Sequence, residues 1–346
     1  MKKIMYILNT GKYSGAENVI IQIIKNLDRD KFYGIYVSLD GPIREYLAEY
    51  EIPFYPIEKL NVKNLIKCIK KIRPDIIHAN DFKATVCAAF CHGKIPLISH
   101  IHNNDPCLKK VNLKSIAYLM STFACETILT VSPSIEEECI FRGFIKNKII
   151  NIGNPVDIEK IRSSKKKIQK IKYDIIFLGR FSPQKKPLYA IKIMKAVNEK
   201  LPVKCVMVGD GELRTQCEEY IRDNKLAKII DIVGFQKNPY DFLAQSKILL
   251  MPSEWEGFGL AAAEALALGK PVVCSDVGGL REIVDSSCGK LCKKSEDFIE
   301  FISLVLEDED ILRKLSIGAN KKINNIETVD QYTNKISHIY SEIISN

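Results

Sequence analysis

A chain of 346 residues is long enough for two domains at roughly 150 residues each, and 46% hydrophobic with 27% charged residues is globular rather than disordered composition. No 18 apolar residues run uninterrupted, and the five from Ile4 to Leu8 are too few for a signal-peptide core or a span, so the expectation is a cytoplasmic protein, attached to a membrane from one side at most. The net charge of +9 is unevenly placed: residues 1–172 carry 28 basic against 17 acidic side chains, the remainder 23 against 25.

Short apolar runs rich in β-branched residues alternate with stretches of helical period, the pattern of βα units around a parallel sheet. The first half has predicted strands at Ile4–Leu8, Ile35–Leu39, Ile76–His78, Pro96–Ser99 and Ile128–Val131. The polar stretch Asn154–Lys172, seven basic residues against two acidic, is placed as the inter-domain linker, or else as a solvated charged helix. The second half repeats the scheme at Ile175–Leu178, Lys204–Val208, Ile229–Val233, Ile248–Met251 and Pro271–Cys274, and the tail spaces Ile336, Ile339, Ile343 and Ile344 as an amphipathic helix. The architecture expected is α/β: two doubly wound domains with a cleft between them. Eleven cysteines without a CxxC read as reduced thiols rather than as a disulfide or zinc framework.

The strongest chemical signal is MPSEWEGFGLAAAEALALGKPVVCSDVGG, residues 251–279. A buried strand ends at Met251, a loop presents Glu254 and Glu256, and Gly257-Phe258-Gly259 leads into a helix that holds Glu264 about two turns in. Two glycines at a helix start let backbone approach a ligand and turn free N–H groups toward it, which makes an anion site. Eight residues separate Glu256 from Glu264, too many for a capping box. Glu264, flanked by Ala261, Ala262, Ala263 and Ala265, needs a partner such as ribose or sugar hydroxyls; an exposed helix face is the plainer alternative.

In IIFLGRFSPQKKP a strand runs into Gly179 and the following loop presents Arg180 and Lys185, where open α/β sheets meet their ligands and where a diphosphate would be met. The loop Gly11 to Gly15 is a phosphate-approach loop of the first domain, with Ser14 expected as N-cap of the next helix. Neither it nor VGDGELR (208–214) is a dinucleotide or Walker A loop, which disfavours a nicotinamide cofactor. HANDF (78–82) and ISHIHNND (98–105) end strands of the first domain, where His102, Asn103 and Asp105 could bind a polyol. His100 and His102 have no third ligand in view, so no metal is expected. Asp28/Asp30 and Asp308/Asp310 read as solvated turns.

These motifs resemble the retaining glycosyltransferases of family 4, with the GT-B fold of two Rossmann-like domains facing a central cleft. The similarity spans nearly the whole chain, and EGFGLAAAE is its specific part. It implies an acceptor-binding domain over 1–165, a nucleotide-sugar-binding domain over 166–328, and a last helix, 329–346, crossing back to the first domain. Residue by residue, it implies that Arg180 and Lys185 bind the donor's diphosphate and that Glu264 holds the ribose hydroxyls. Glu256 and the backbone of Gly257, Phe258, Gly259 and Leu260 would hold the donor sugar and β-phosphate. Gly15 would contact the diphosphate, His102 would face the transferred sugar, and the base would lie at Gly234-Phe235-Gln236. The departures are Phe181 for a usual leucine, Asn80 where a second histidine often stands, and Lys186 where glycine is common, so either Lys185 or Lys186 reaches phosphate. His102, Glu256, Arg180 and Lys185 form the expected catalytic set, with a nucleoside diphosphate sugar, UDP foremost, as donor substrate and neither cofactor nor metal.

The basic first half points to an anionic partner: lipid headgroups, a pyrophosphate-linked acceptor or nucleic acid. Residues 61–73 set Leu65, Ile66, Ile69 and Ile72 against Lys63, Lys67, Lys70 and Lys71, and residues 109–120 repeat the theme. Both suit the inner face of an anionic membrane, or are helices packed on the sheet with lysines in water. Nucleic acid is disfavoured because these helices lack interleaved aromatics. A glycan or lipid-linked saccharide is the acceptor expected; a sugar-nucleotide epimerase or a phosphorylase on the same scaffold is the alternative.

Overall fold

The computed structural model describes residues 1–165 and 170–345. It divides into two compact units, Met1–Pro155 with Glu327–Asn346, and Val156–Ile326.

The N-terminal unit carries strands β1 (Lys2–Ile7), β2 (Phe32–Leu39), β3 (Phe54–Ile57), β4 (Ile76–Asn80), β5 (Leu97–Ile101), β6 (Cys125–Thr130) and β7 (Ile149–Asn151) in the order β3-β2-β1-β4-β5-β6-β7. The C-terminal unit carries β8 (Tyr173–Leu178), β9 (Cys205–Val208), β10 (Ile230–Gly234), β11 (Ser246–Met251), β12 (Val272–Ser275) and β13 (Gly289–Cys292) in the order β10-β9-β8-β11-β12-β13. Neighbouring strands are parallel throughout. Helices cover both faces of a doubly wound sheet, so its central strands are continuously apolar: Ile4 to Ile7 and Ile248 to Leu250 are fully buried. The strand order reverses between β1 and β4 and between β8 and β11, the places where such sheets open a crevice beyond their carboxyl ends.

Three strands were not anticipated, and each is an edge: β3, β7 and β13. Edge strands are short and half exposed, so they lack the unbroken apolar run that marks a central one. Pro56 sits in β3, a position open to proline only because one side of an edge strand needs no N–H donor. Within the polar stretch Asn154–Lys172, Ile158–Lys165 is a helix whose Ile161 is buried in the core of the C-terminal unit. Residues 166–169 of that stretch, and with them the expected boundary at 165/166, lie outside the described residues. All eleven cysteines are free thiols. Asp308 is exposed, as expected, and serves as the N-cap of helix Glu309–Lys322, accepting from the amides of Asp310 and Ile311.

The last helix, Val329–Ser345, belongs to the N-terminal unit and buries Tyr332, Ile336, Ile339 and Tyr340. Tyr340 reaches furthest in: its hydroxyl donates to the Tyr6 hydroxyl of β1 (2.8 Å) and lies 2.6 Å from His78 Nδ1 of β4. Tyr340→Phe leaves both partners buried and unsatisfied, which costs about 1–3 kcal/mol, so the urea midpoint of unfolding should fall. An unchanged midpoint would mean that the helix is held by apolar packing alone.

Candidate functional site

At the switch point of the C-terminal unit, three strand-end loops meet at Glu256. The loop after β8 sends Lys185 to pair with its carboxylate, and Ser253, in the loop after β11, donates to the same Oε1 at 2.7 Å. The loop after β12 donates from the Gly279 amide to the Glu256 carbonyl at 3.0 Å. Glu256 is 5% exposed, and a carboxylate so placed requires the cation beside it. The Lys185 stem lies across Gly179, with its Cδ 3.6 Å from where a Cβ would stand.

The glycines here serve close backbone approach. Gly278, at φ +48°, would carry a Cβ only 2.0 Å from the Glu256 carbonyl oxygen, so the loop bearing Glu256 and Gly257 is held against the one following β12. Gly209 would put a Cβ 1.9 Å from the Gly179 carbonyl oxygen, which explains the glycine of VGDGELR as packing rather than phosphate binding. Gly259 is the left-handed N-cap of helix Leu260–Ala267 and, lacking a side chain, leaves the amides of the first turn without a side-chain cap. Glu264 is the fifth residue of this helix, one turn in rather than two. Burial pushes its carboxyl up to about 7, against the lowering effects of the Tyr240 hydroxyl (3.3 Å), Lys185 and Lys160.

The two lysines of the loop after β8 separate. Lys185 turns inward to buried Glu256, while Lys186 pairs with exposed Glu254. Lys186 also has φ +50°, the left-handed conformation that glycine adopts most easily. Arg180 is exposed, and its guanidinium is bound to Glu212 (3.1 Å). Phe235, 52% exposed, follows β10.

In the N-terminal unit, the ends of β1, β4 and β5 hold a cluster of titratable groups. His102 follows β5; its Nε2 lies 2.9 Å from Asn80 Oδ1, and its amide donates to Asp81 Oδ1 at 3.1 Å. The His100 and His102 rings lie 3.9 Å apart between centroids, tilted by 35°, and His100 Nδ1 lies 3.1 Å from His78 Nε2. Burial holds all three histidines well below the usual imidazole range, His78 and His102 to about 3. It pushes carboxyls up, Asp81 to about 6 and Glu17 to about 7. The three imidazoles are therefore neutral at pH 7, and His102 stands as a polar uncharged group. Among the described residues no group of three or more His, Cys, Asp or Glu is placed to hold a metal ion.

Gly15 is the exposed first residue of helix Gly15–Asn26. Ser14 occupies the N-cap position but does not cap: its hydroxyl bonds the Glu17 carboxyl instead, because burial of that carboxyl demands a donor. Reading motifs missed Tyr240, Asp81, Glu17 and Ser253. Ser253 had a local signal, a serine three residues before Glu256 in a strand-end loop; Tyr240, distant in sequence from Glu264, had none.

Two family models match the chain: Glycosyltransferase Family 4 over residues 13–160 and Glycosyl transferases group 1 over residues 157–322. UDP-Gal:alpha-D-GlcNAc-diphosphoundecaprenol alpha-1,3-galactosyltransferase of Escherichia coli is 27% identical, with 96% of this chain and 95% of that one aligned. An uncharacterized glycosyltransferase of Methanocaldococcus jannaschii is 30% identical over 72% of this chain and 69% of its own. Among solved structures, Anabaena HepE in complex with UDP superposes with a TM-score of 0.84 at 21% identity, covering 99% of this chain and 100% of that one. Sucrose-phosphate synthase of Thermosynechococcus elongatus gives 0.81 at 17% identity, covering 100% of both chains. Both likenesses establish the fold.

Asp81 offers a pH test of the N-terminal cluster. A raised carboxyl stabilises the fold fully only below its unfolded value of 3.8, and that contribution is lost as pH rises to about 6. Asp81→Asn, which suits the left-handed φ of +64° there, should stabilise the protein by about 1–3 kcal/mol at pH 7–8. Melting temperatures should show the gain growing from pH 4 to 6 and constant above; a gain independent of pH would refute the assignment.

Proposed function

Because the chain belongs to glycosyltransferase family 4, we propose that it transfers a hexosyl group, with retention, from a nucleoside diphosphate donor to a glycan or lipid-linked saccharide in surface polysaccharide assembly. The carrying observation is the Lys185–Glu256 pair set beside the uncapped helix Leu260–Ala267 at the β8/β11 switch point. A cation and free amides there suit a diphosphate, and a buried carboxylate suits sugar hydroxyls. The E. coli relative is named for UDP-Gal and a diphosphoundecaprenol-linked acceptor, and HepE was solved with UDP, which supports UDP as the donor's carrier and a lipid-linked acceptor. Such an acceptor would place the enzyme at the inner face of the membrane as a peripheral protein.

In this reading the glycosidic bond to the diphosphate breaks as the acceptor hydroxyl oxygen attacks the same face of the sugar and passes its proton to the departing phosphate oxygen. Charge then develops on the leaving diphosphate. Lys185 and the backbone amides from Gly257 to Leu260, at the helix start, meet it in place, which leaves no requirement for a metal or other cofactor. Arg180 is assigned to the same diphosphate and would exchange Glu212 for it. Glu264, its carboxyl poised near neutrality, is assigned to the ribose hydroxyls, and Phe235 with Gly234 and Gln236 to the base. Glu256 is assigned to the sugar, and loses its ammonium partner to phosphate as the donor binds. In the N-terminal unit, neutral His102 is assigned to the transferred sugar and Gly15 to the diphosphate.

Calorimetry of UDP binding tests the site. Lys185→Ala and Glu264→Ala should each weaken binding by roughly tenfold or more, the loss of about 1.4 kcal/mol, while Lys186→Ala changes it less than about threefold. Unchanged affinity in both of the first two variants would overturn the assignment. The anomeric configuration of the product, read by proton NMR, tests retention, and an inverted product would end that part of the reading.

A further inference from the structure

Helix Leu113–Thr122 of the N-terminal unit is built inside out. Toward the unit it buries Ser115, Tyr118, Ser121 and Thr122. Each of these finds a hydrogen bond: Tyr118 to Ser99 (3.0 Å), Ser115 within a capping box with Asn112, and the hydroxyls of Ser121 and Thr122 to backbone carbonyls. Its outer side carries Leu113 (88% exposed), Ile116 (42%) and Met120 (62%), flanked by Val111 (66%) and Phe123 (62%). Leu113, Ile116, Met120 and Phe123 recur at intervals of three, four and three, a single stripe along one face of a helix. Residues 109–123 add Lys110 and Lys114, together with Lys109, which pairs with Glu138 (2.8 Å), and contain no acidic side chain of their own.

The other lysine-rich helix, Val62–Ile72, is conventional. It buries Leu65, Cys68 and Ile72 and leaves Lys63, Lys67, Lys70 and Lys71 in water. The two segments that looked alike in sequence are therefore opposite in structure, and only the second offers an apolar face.

We propose that helix Leu113–Thr122, with Val111, Phe123 and the lysines at its start, is the surface by which the protein docks on an anionic lipid bilayer. Side chains exposed to this degree form a ridge, and a ridge enters a headgroup layer without a matching pocket, whereas a protein partner must supply one. A second copy of the chain is a poor occupant, because a two-fold interface would set Lys110 and Lys114 against themselves. Anionic headgroups meet the same two lysines with opposite charge. Among the described residues no helix is long and apolar enough to cross a membrane, so the contact is with one leaflet. This rests on the reading of a lipid-linked acceptor, and its test is independent of transfer.

The test is flotation of the full chain with vesicles of phosphatidylglycerol and phosphatidylcholine, or of phosphatidylcholine alone. The protein should float with the anionic vesicles only. Leu113→Ser with Met120→Ser, and separately Lys110→Glu with Lys114→Glu, should each weaken partition by about tenfold. Lys67→Glu with Lys70→Glu, on the conventional helix, should change it less than about threefold. All these positions are exposed; circular dichroism and UDP calorimetry should be unchanged in every variant. Absence of binding to anionic vesicles, or binding lost only in the Lys67/Lys70 variant, overturns the proposal. So does a dimer in gel filtration that dissociates in the Leu113/Met120 variant, which would assign the stripe to a second copy. A wild-type chain that floats but does not bind UDP sustains the docking surface and counts against the transfer reading alone.

Discussion

The C-terminal unit is organised around one buried charge. Glu256 sits beyond the carboxyl end of β11 with almost no access to water, and an ionised carboxylate there is tolerable only with a cation and hydrogen-bond donors around it. Lys185 and Ser253, from the loops following β8 and β11, satisfy its carboxylate, and the Gly279 amide of the loop following β12 donates to its backbone carbonyl, so this one residue ties three loops together. The glycines at 278 and 279 follow from that backbone approach, since any side chain there would collide with the Glu256 or Gly257 carbonyl. A ligand that takes Lys185 must leave Glu256 with something to hold, and a molecule with a phosphate and hydroxyls does both.

The N-terminal unit treats the same topological position differently. Where the C-terminal unit gathers opposite charges, this one withholds them. Three imidazoles are kept neutral by burial and two carboxyls are pushed toward neutrality, joined through Asn80 and the Tyr340 hydroxyl. Two sheets of one winding thus end in chemically distinct surfaces, one suited to an anion and the other to a polar uncharged group.

What could be read in advance follows from where the physical signal is concentrated. The central strands announce themselves because both faces are buried, so β1, β8 and β11 each hold an unbroken apolar run of four residues, and the doubly wound class follows from their alternation with helices. β3, β7 and β13 were silent because an edge needs only one buried face and a few residues. At the site, Glu256, Glu264 and Lys185 were legible from glycine placement and strand-end position. Their partners were not: Tyr240 meets Glu264 across 24 residues of chain, and Arg180 could not be seen to take Glu212. The choice between Lys185 and Lys186 rested on which one turns inward, a matter of backbone conformation at Lys186. The inverted helix 113–122 was the hardest to read, because its composition matches that of a helix packed the ordinary way, and only the polar partners beneath it decide which face is inside.

The return of the last helix has a bearing on how the molecule is made. The sheet that begins at Lys2 is completed by side chains from Tyr332 to Tyr340, with the whole of Val156–Ile326 lying between them along the chain. On a ribosome, which delivers residues in order, the second half has all of its own parts before the first half does. The earlier-made sheet therefore waits, its Tyr6 hydroxyl and His78 Nδ1 without their Tyr340 partner, until the last helix emerges from the exit tunnel. Premature termination between Ile326 and that helix would spare the later-made unit and orphan the earlier one.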